Sequence, residues 1–325
     1  MNTETNISLK EKMNAFEKEI RGEALQREMM RKAKRYAEDY SEYLKTAEVT
    51  DVLKVGKDTD GGYLVPDEME EGIVEALTEN NVIRKLANVF TTTERLKIPG
   101  IAQGPNGVWV EEGGEISFSD MEFFQATIDA HKNACIIRVT EELIEDAGFD
   151  IENYLIKSVG TTVGELEENA FVMGNGEHKP RGFMMDAEVG IEVPELTSDS
   201  LVDLQYSLNK NYRNKAVWIM SDSAEEELRK IKYLNGRPMW ENTLTEGTPD
   251  LLLGHKVYVT KAMPDDSPIA FGDFSYYWIG ERGKRSFKRM GELYSEHGLV
   301  GYRFTHRVDG KLIIPEAVKT LKIVA

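Results

Sequence analysis

Enzymatic chemistry needs side chains that attack, ligate or move protons, and this chain holds few of them at usable spacings. The five histidines are His131, His178, His255, His297 and His306, and no two stand at the separation of a metal pair. Cys135 is the single cysteine and lies in a partly apolar run, where a thiol packs as an inert small hydrophobe. One cysteine excludes a disulfide framework within the chain and a cysteine-rich zinc site. Gly-x-Ser-x-Gly, Gly-x4-Gly-Lys-Ser/Thr and His-Glu-x-x-His are all absent.

Three acid clusters offer paired carboxylates: Asp67-Glu68-Glu70-Glu71, Glu111-Glu112-Glu115 and Glu141-Glu142-Glu145-Asp146. Two of them sit at predicted helix starts, where the helix dipole accounts for acids without catalysis. The third flanks Gly113-Gly114. Asp58-Thr59-Asp60-Gly61 begins like a calcium loop, but Gly62 takes the next ligand position and no bidentate Glu follows at the right distance. Gly174-Asn175-Gly176-Glu177-His178-Lys179 follows a predicted helix, so it lacks the helix N-terminus that makes a phosphate loop. Arg282, Lys284, Arg285, Lys288 and Arg289 form the one basic stretch, read as a strand face or a contact with an acidic neighbour. The chain reads as a non-enzyme, with no cofactor and no metal.

Charge narrows the classes further. The 325 residues carry 40 Lys plus Arg against 57 Asp plus Glu, a formal charge of −17. Phosphate-gripping proteins need clustered cations, so nucleic-acid binding is not the main task expected. No apolar run is long enough to span a bilayer, and MNTETNISLKEKMNAFEKEI lacks the apolar core of a secretory signal; both point to a cytoplasmic protein.

Residues 1–50 hold ten cations and ten acids, so the whole −17 lies in the rest of the chain. This arm has no Pro and is rich in strong helix formers. Leu9, Met13, Phe16 and Ile20 recur at spacings of four, three and four, and Met29, Ala33, Tyr36 and Tyr40 resume the stripe after Gly22. That periodicity predicts a helix that pairs with another. An unpaired solvated helix is the plain alternative.

The body follows a linker ending near Gly61, Gly62 and Pro66. A helix is predicted from Pro66-Asp67-Glu68 through Met69, Ile73 and Leu77, with Ile83 and Leu86 further on. Residues 89–139 read as a long excursion of strands around Gly104-Pro105-Asn106-Gly107 and Val108-Trp109-Val110, returning along Thr127 to Val139 with Ile128, Ala130, Ala134 and Ile136 on one face. So polar a hairpin does not bury itself, and its length favours docking on another subunit. Asp150 caps a predicted helix to Met173, with Ile151, Leu155, Val159, Val163, Leu166 and Ala170 as its apolar stripe. Beyond residue 197, helices starting at Thr197 or Ser198 and at Glu225, the latter with Ser223 and Glu226 as a capping box, alternate with strands such as Ala216–Met220, Lys256–Val259, Pro268–Phe271 and Tyr276–Ile279. The class is α+β.

Taken in order, GGYLVP, VWVEEGGEI, RVTEELIEDA, MGNGEHKPRGFM, AVWIMSDSAEEELRKIK, YLNGRPMWENTL, LLLGHKVYV, AMPDDSPIAFGDFSYYWIGER and KLIIPEAVKTLKI make the chain resemble the major capsid proteins of tailed bacteriophages, which have the Hong Kong 97-type capsid fold. The likeness runs from about Gly61 to the C-terminus. It implies a peripheral domain over residues 66–194, with an extended loop at about 92–135 and a spine helix at 151–173. It further implies an axial domain over 195–310, a C-terminal strand of the peripheral domain over 311–325, and a scaffolding arm over 1–50 joined by a linker at 51–65. A phage protease would remove the arm by cutting between Thr46 and Gly61.

The implied function is a coat protein that assembles into pentamers and hexamers of an icosahedral procapsid enclosing double-stranded DNA. Its partners would be copies of itself, the portal and the protease, and DNA held without sequence recognition. No membrane is involved, and the expected location is the virion, assembled in the host cytoplasm. Candidate assembly residues are Leu9, Met13, Phe16 and Ile20 on the arm, Lys97, Trp109, Glu111, Glu112 and Lys132 on the hairpin, and Trp240. An encapsulin-like cellular compartment shares the fold but usually lacks a long helical arm. A carboxylate hydrolase would need two converging acids, and a helix-pairing adaptor would place all its function in the arm.

Some relatives join subunits through a Lys–Asn isopeptide bond assisted by a Glu. Lys97 and Lys132 are available, but no Asn occurs after Asn242, where the partner should lie. Mature particles should therefore run as single chains on reducing denaturing gels, and a ladder of multimers would refute this.

Overall fold

A computed structural model describes residues 3–54, 63–103, 122–146, 148–231, 240 and 250–324. The chain divides into two compact units, one from residues 1–72, 136–156 and 285–304, the other from residues 73–135, 157–284 and 305–325.

In the first unit the arm is one helix, Thr3–Thr46, running unbroken through Gly22. Its periodic stripe divides by environment. Met29 and Met30 are 63% and 70% exposed, whereas Tyr40, Tyr43 and Leu44 are buried. The reason lies in the partners: Tyr43 meets Tyr63 edge to face at 4.7 Å, and Tyr302 donates its hydroxyl to the Leu44 carbonyl at 2.6 Å. The Arg289 amide donates to the Tyr43 hydroxyl, and Tyr36 donates to the Leu64 carbonyl. The last three turns of the arm are thus core, built against Tyr63–Leu64, which pairs antiparallel with Ser286–Met290. The helix stops at Ala47, whose φ of 69° is left-handed and would suit glycine better. Burial pushes the Tyr36 hydroxyl up to about 12.

The second unit holds a sheet ordered Glu188–Val193, Val318–Ile323, Ile269–Gly272, Val217–Met220, His255–Val259 and Leu251–Leu252. Trp218 and Phe271 stack inside it at 4.2 Å, and the Trp218 indole donates to the Leu252 carbonyl. The helix Ser198–Ser207 opens with a reciprocal capping box between Thr197 and Ser200. The helix expected from Glu225 begins three residues earlier, as Asp222–Lys230, and its cap is Ser221. Ser221 ends the strand and accepts from the Ala224 amide, so Ser223 lies inside the first turn.

Two strands pass through both units, Leu299–Leu312 and His131–Thr140, and they pair with each other. Within the second unit the end of the first pairs antiparallel with Tyr277–Arg282, which pairs parallel with Asn88–Thr92. The hairpin strands Leu96–Gln103 and Glu122–Ile128 run antiparallel, with Leu96 opposite Ile128. They pair with no other strand among the described residues. The predicted inward face of the returning run does not hold. The strand breaks at Asp129-Ala130, the alternation restarts out of phase, and Asn133 and Val139 turn inward while Ile136 is 49% exposed.

The helix Ile151–Met173 has the predicted ends. Its buried stripe runs Ile151, Leu155, Val159, Val163, Glu167 and Phe171, a step of four throughout, so that Leu166 and Ala170 lie off it and Leu166 is 52% exposed. A Cβ on Gly160 would lie 2.5 Å from the Ala76 Cβ, and one on Gly164 would lie 3.0 Å from that of Asn80. Two glycines a turn apart let this helix and the end of Asp67–Glu79 touch nearly backbone to backbone.

Tyr40→Ala should cost about 3 kcal/mol, as for other large buried aromatics, with urea denaturation as the measure. A loss below about 1 kcal/mol would place the end of the arm outside the core.

Candidate functional site

The long helix offers its core face at position 167, and the residue there is an acid. A carboxylate buried without compensation is costly, so the surroundings must supply donors and positive charge. The short helix Val82–Leu86 brings Arg84. Its N-cap Asn81 accepts from the Arg84 amide at 2.9 Å and donates to the Gly164 carbonyl of the long helix at 3.3 Å. Arg84 Nε reaches Glu167 Oε2 at 2.8 Å, and its Nη2 reaches Glu281 Oε1 at 2.7 Å. His306 Nε2 lies 3.2 Å from Glu167 Oε1, and Asn133 Nδ2 donates to the same oxygen at 3.5 Å. Burial works against the Arg84 charge, but Glu167 and Glu281 outweigh it and hold the guanidinium protonated above its usual range. Neighbouring Glu168 caps the Val82 amide, and burial raises its carboxyl.

A second polar knot ties down the root of the hairpin. Asp309 accepts from the amides of Asp129 and Gly310 at 2.7 and 2.8 Å and faces His131 at 3.6 Å; burial raises its carboxyl. Asp129 binds Arg95, which holds its carboxyl low, with Arg282 at 3.6 Å. Above this root Ile98, Ala126 and Ile128 pack with Ile313, Phe90 and Trp278.

Between these features lies a cavity of about 430 Å³. Leu166, Ala170, Met173 and Pro180 wall it, and Asn133 and Glu167 lie at its base. His131, Lys132, His178 and Lys179 also line it. Asn133 Oδ1 is buried and has no hydrogen-bond partner. The turn carrying His178 and Lys179 closes through a bridge between Asn175 and Arg181, and His178 takes a φ of 59°.

Every carboxylate in this cluster is already engaged by a cation or an amide, so the arrangement orients elements and presents no free acid–base pair. Among the described residues no group of His, Cys, Asp and Glu could hold a metal ion. Burial raises the Cys135 thiol to about 11, keeping it protonated.

The expected assembly residues fall into three groups. Lys97 is exposed on a hairpin strand opposite Thr127, and Lys132 is exposed beside the cavity. Trp240 is 4% exposed beneath Arg229, whose guanidinium lies 4.4 Å from its ring and binds Glu225 at 2.7 Å and Asp250 at 2.5 Å. It therefore fills its own unit's core and offers no surface to a neighbour. Leu9, Met13, Phe16 and Ile20 belong to the arm helix, but their side chains, like all of Trp109, Glu111 and Glu112, lie outside the described residues, as does the Asp58–Gly62 loop. The basic stretch turns inward at three places: Arg282 to Asp129, Arg285 to Glu70 at 3.0 Å and Arg289 to the Lys45 carbonyl.

Sequence reasoning missed Arg84, Glu167, Glu281, His306 and Asn133. The available signal was the unbroken step of four from Ile151, which lands on Glu167 and not on Leu166.

A model of the phage capsid family matches residues 61–323. The chain is similar to the major capsid protein of Klebsiella oxytoca phage phiKO2, 23% identical over 246 residues, which cover 69% of this chain and 56% of that protein. It spans little more than half the length of that relative. Among solved structures it is similar to the capsid of a native GTA particle computed with C5 symmetry, at TM-score 0.65 and 27% identity, covering 76% of this chain and 91% of that one. It is also similar in fold to a chain from Microbacterium phage Oxtober96, at TM-score 0.58 and 16% identity, covering 74% and 90%.

Arg84→Met should cost about 3–5 kcal/mol by stranding Glu167 and Glu281. Adding Glu167→Leu should return part of that loss in urea unfolding, and a double variant worse than the sum would contradict the pairing.

Proposed function

Because the chain belongs to the phage capsid family, we propose that it is a major capsid protein, a shell subunit that assembles with its own copies into pentamers and hexamers of an icosahedral head around double-stranded DNA. The fold is the Hong Kong 97-type capsid fold. The observation that carries the reading is the hairpin Leu96–Gln103 with Glu122–Ile128: a two-stranded ribbon, marginal alone, that its own subunit anchors by the root and pairs with no further strand among the described residues. Such a ribbon is completed by a neighbour, and repeated heterologous contacts of that kind close into rings. Small contacts suffice because the shell multiplies them.

In this reading residues 66–194 form the peripheral domain, 195–310 the axial domain and 151–173 the spine. The extended loop spans about 92–135, and residues 311–325 add the closing strand. The portal and a maturation protease act on the assembled shell, and the location is the virion. An excess of 57 acids over 40 bases keeps the wall from adhering to packed DNA.

The arm, residues 1–50, serves as scaffold during assembly. Its end is also core, so a cut between Thr46 and Gly61 followed by loss of the arm withdraws Tyr40, Tyr43 and Leu44 from the packing of the first unit. Maturation then changes the subunit's own interior together with its contacts, a switch between two packings of one chain.

Electron microscopy and sedimentation of the full chain expressed alone should show closed shells or rings of five and six. Material that stays monomeric at every concentration and ionic strength would overturn the reading.

A further inference from the structure

Resting on that reading, we propose that the cavity beside the end of the long helix is a socket for the Val108–Glu112 segment of a second copy of this chain, with Trp109 as the plug.

The socket has three chemical parts, and each names a property of its occupant. Its walls are apolar, Leu166, Ala170, Met173 and Pro180, and Leu166 and Met173 are exposed there together, at 52% and 39%. About 430 Å³ is within the range of pockets that seat one organic group. The occupant therefore has a large apolar body. At the base, Asn133 is 9% exposed and its Oδ1 has no partner, while its Nδ2 points at Glu167. The carboxylate fixes which way the amide faces, since only the nitrogen can donate to it. A buried acceptor without a donor is costly, so the occupant carries an N–H or O–H at the tip of its apolar body. Two cations, Lys132 and Lys179, line the same cavity, in a chain of net charge −17. The occupant bears acids beside its apolar anchor.

Val108-Trp109-Val110-Glu111-Glu112 has all three properties in sequence. Tryptophan is the one apolar-bodied side chain with a donor and no acceptor, and it is enriched, with tyrosine and arginine, among the anchors of protein interfaces. The two glutamates follow it directly in the sequence. The segment belongs to residues 104–121, outside the described residues, joining hairpin strands that end at Gln103 and Glu122. A shell built of one chain has to supply its own acidic apolar plug.

The test uses assembled particles of the full chain, grown from a mixture of light and heavy nitrogen-labelled copies, with a photoreactive phenylalanine at position 109. Mass spectrometry should find mixed-label cross-links from position 109 to peptides containing residues 131–133, 166–173 or 178–180. Trp109→Ala, and separately Ala170→Trp, which fills the socket from its wall, should each weaken subunit association roughly tenfold or more. Trp109→Phe, which keeps the ring and lacks the donor, should fall between Trp109→Ala and the parent. Cross-links confined to one label would mean that the loop seats in its own subunit, and cross-links to another surface would mean that the socket has a different occupant. Either result overturns the proposal while leaving the shell intact as a reading. Failure of the parent chain to form any particle would sink both.

Discussion

A guanidinium removed from water must find its counter-charges inside the protein, and Arg84 finds two. Glu167 comes from the long helix and Glu281 from the strand Tyr277–Arg282, with the short helix Val82–Leu86 carrying the arginine between them. In a medium of low dielectric each of these charges would be prohibitive alone, and together they are tolerable only at hydrogen-bond distance. The network is therefore a geometric condition on the second unit. Arg84 spans both acids only when helix and strand arrive in one register, and Asn81 fixes the same helix to the Gly164 carbonyl. Apolar packing around Ile83, Phe171 and Ile279 is less demanding, since such contacts tolerate sliding and repacking that ion pairs do not.

The legibility of the chain follows the same division between local and non-local physics. The long helix was readable at its ends and along its stripe as far as Val163, because its Asp150 start, its glycine end and its step of four are encoded within it, and the reading left the stripe at Leu166. The strands after residue 216 were readable for similar reasons, as short β-branched and aromatic runs between turn residues. The ordered motifs carried the fold class. What stayed hidden depends on partners distant in sequence. Glu167 looks like the polar flank of the helix unless Arg84 and His306 are known to converge on it. Tyr36 belongs to a helix-pairing stripe and Tyr43 lies just beyond it, yet Tyr36 meets Leu64, and Tyr43 meets Tyr63 and Arg289, outside the arm. Ile136 looks inward until the break at Asp129-Ala130 is seen to shift the phase, and that break is imposed by Asp309. Trp240 was expected among the assembly residues. Arg229, Glu225 and Asp250 instead hold it within its own unit.

The acid-rich composition acquires a spatial meaning once these partners are placed. Many carboxylates that the sequence offers as chemistry are consumed in holding elements: Glu70 on Arg285, Glu167 and Glu281 on Arg84, Asp129 on Arg95, Asp309 on two amides. The basic stretch 282–289 is likewise spent largely inward. The lysines around the cavity, Lys132 and Lys179, keep a local positive character that the chain as a whole lacks.

The glycine seam between the two helices has a mechanical corollary. At Gly160 and Gly164 the backbones meet with no intervening side chain, and any axial slip would drive the Cβ of Ala76 or Asn80 into a neighbouring main chain. Contacts of that kind resist shear far better than interdigitated leucines do, because no rotamer change can relieve the collision. This stretch of the body is a strut. Any bending of the second unit must be absorbed elsewhere, while this braced pair is carried along as a rigid piece.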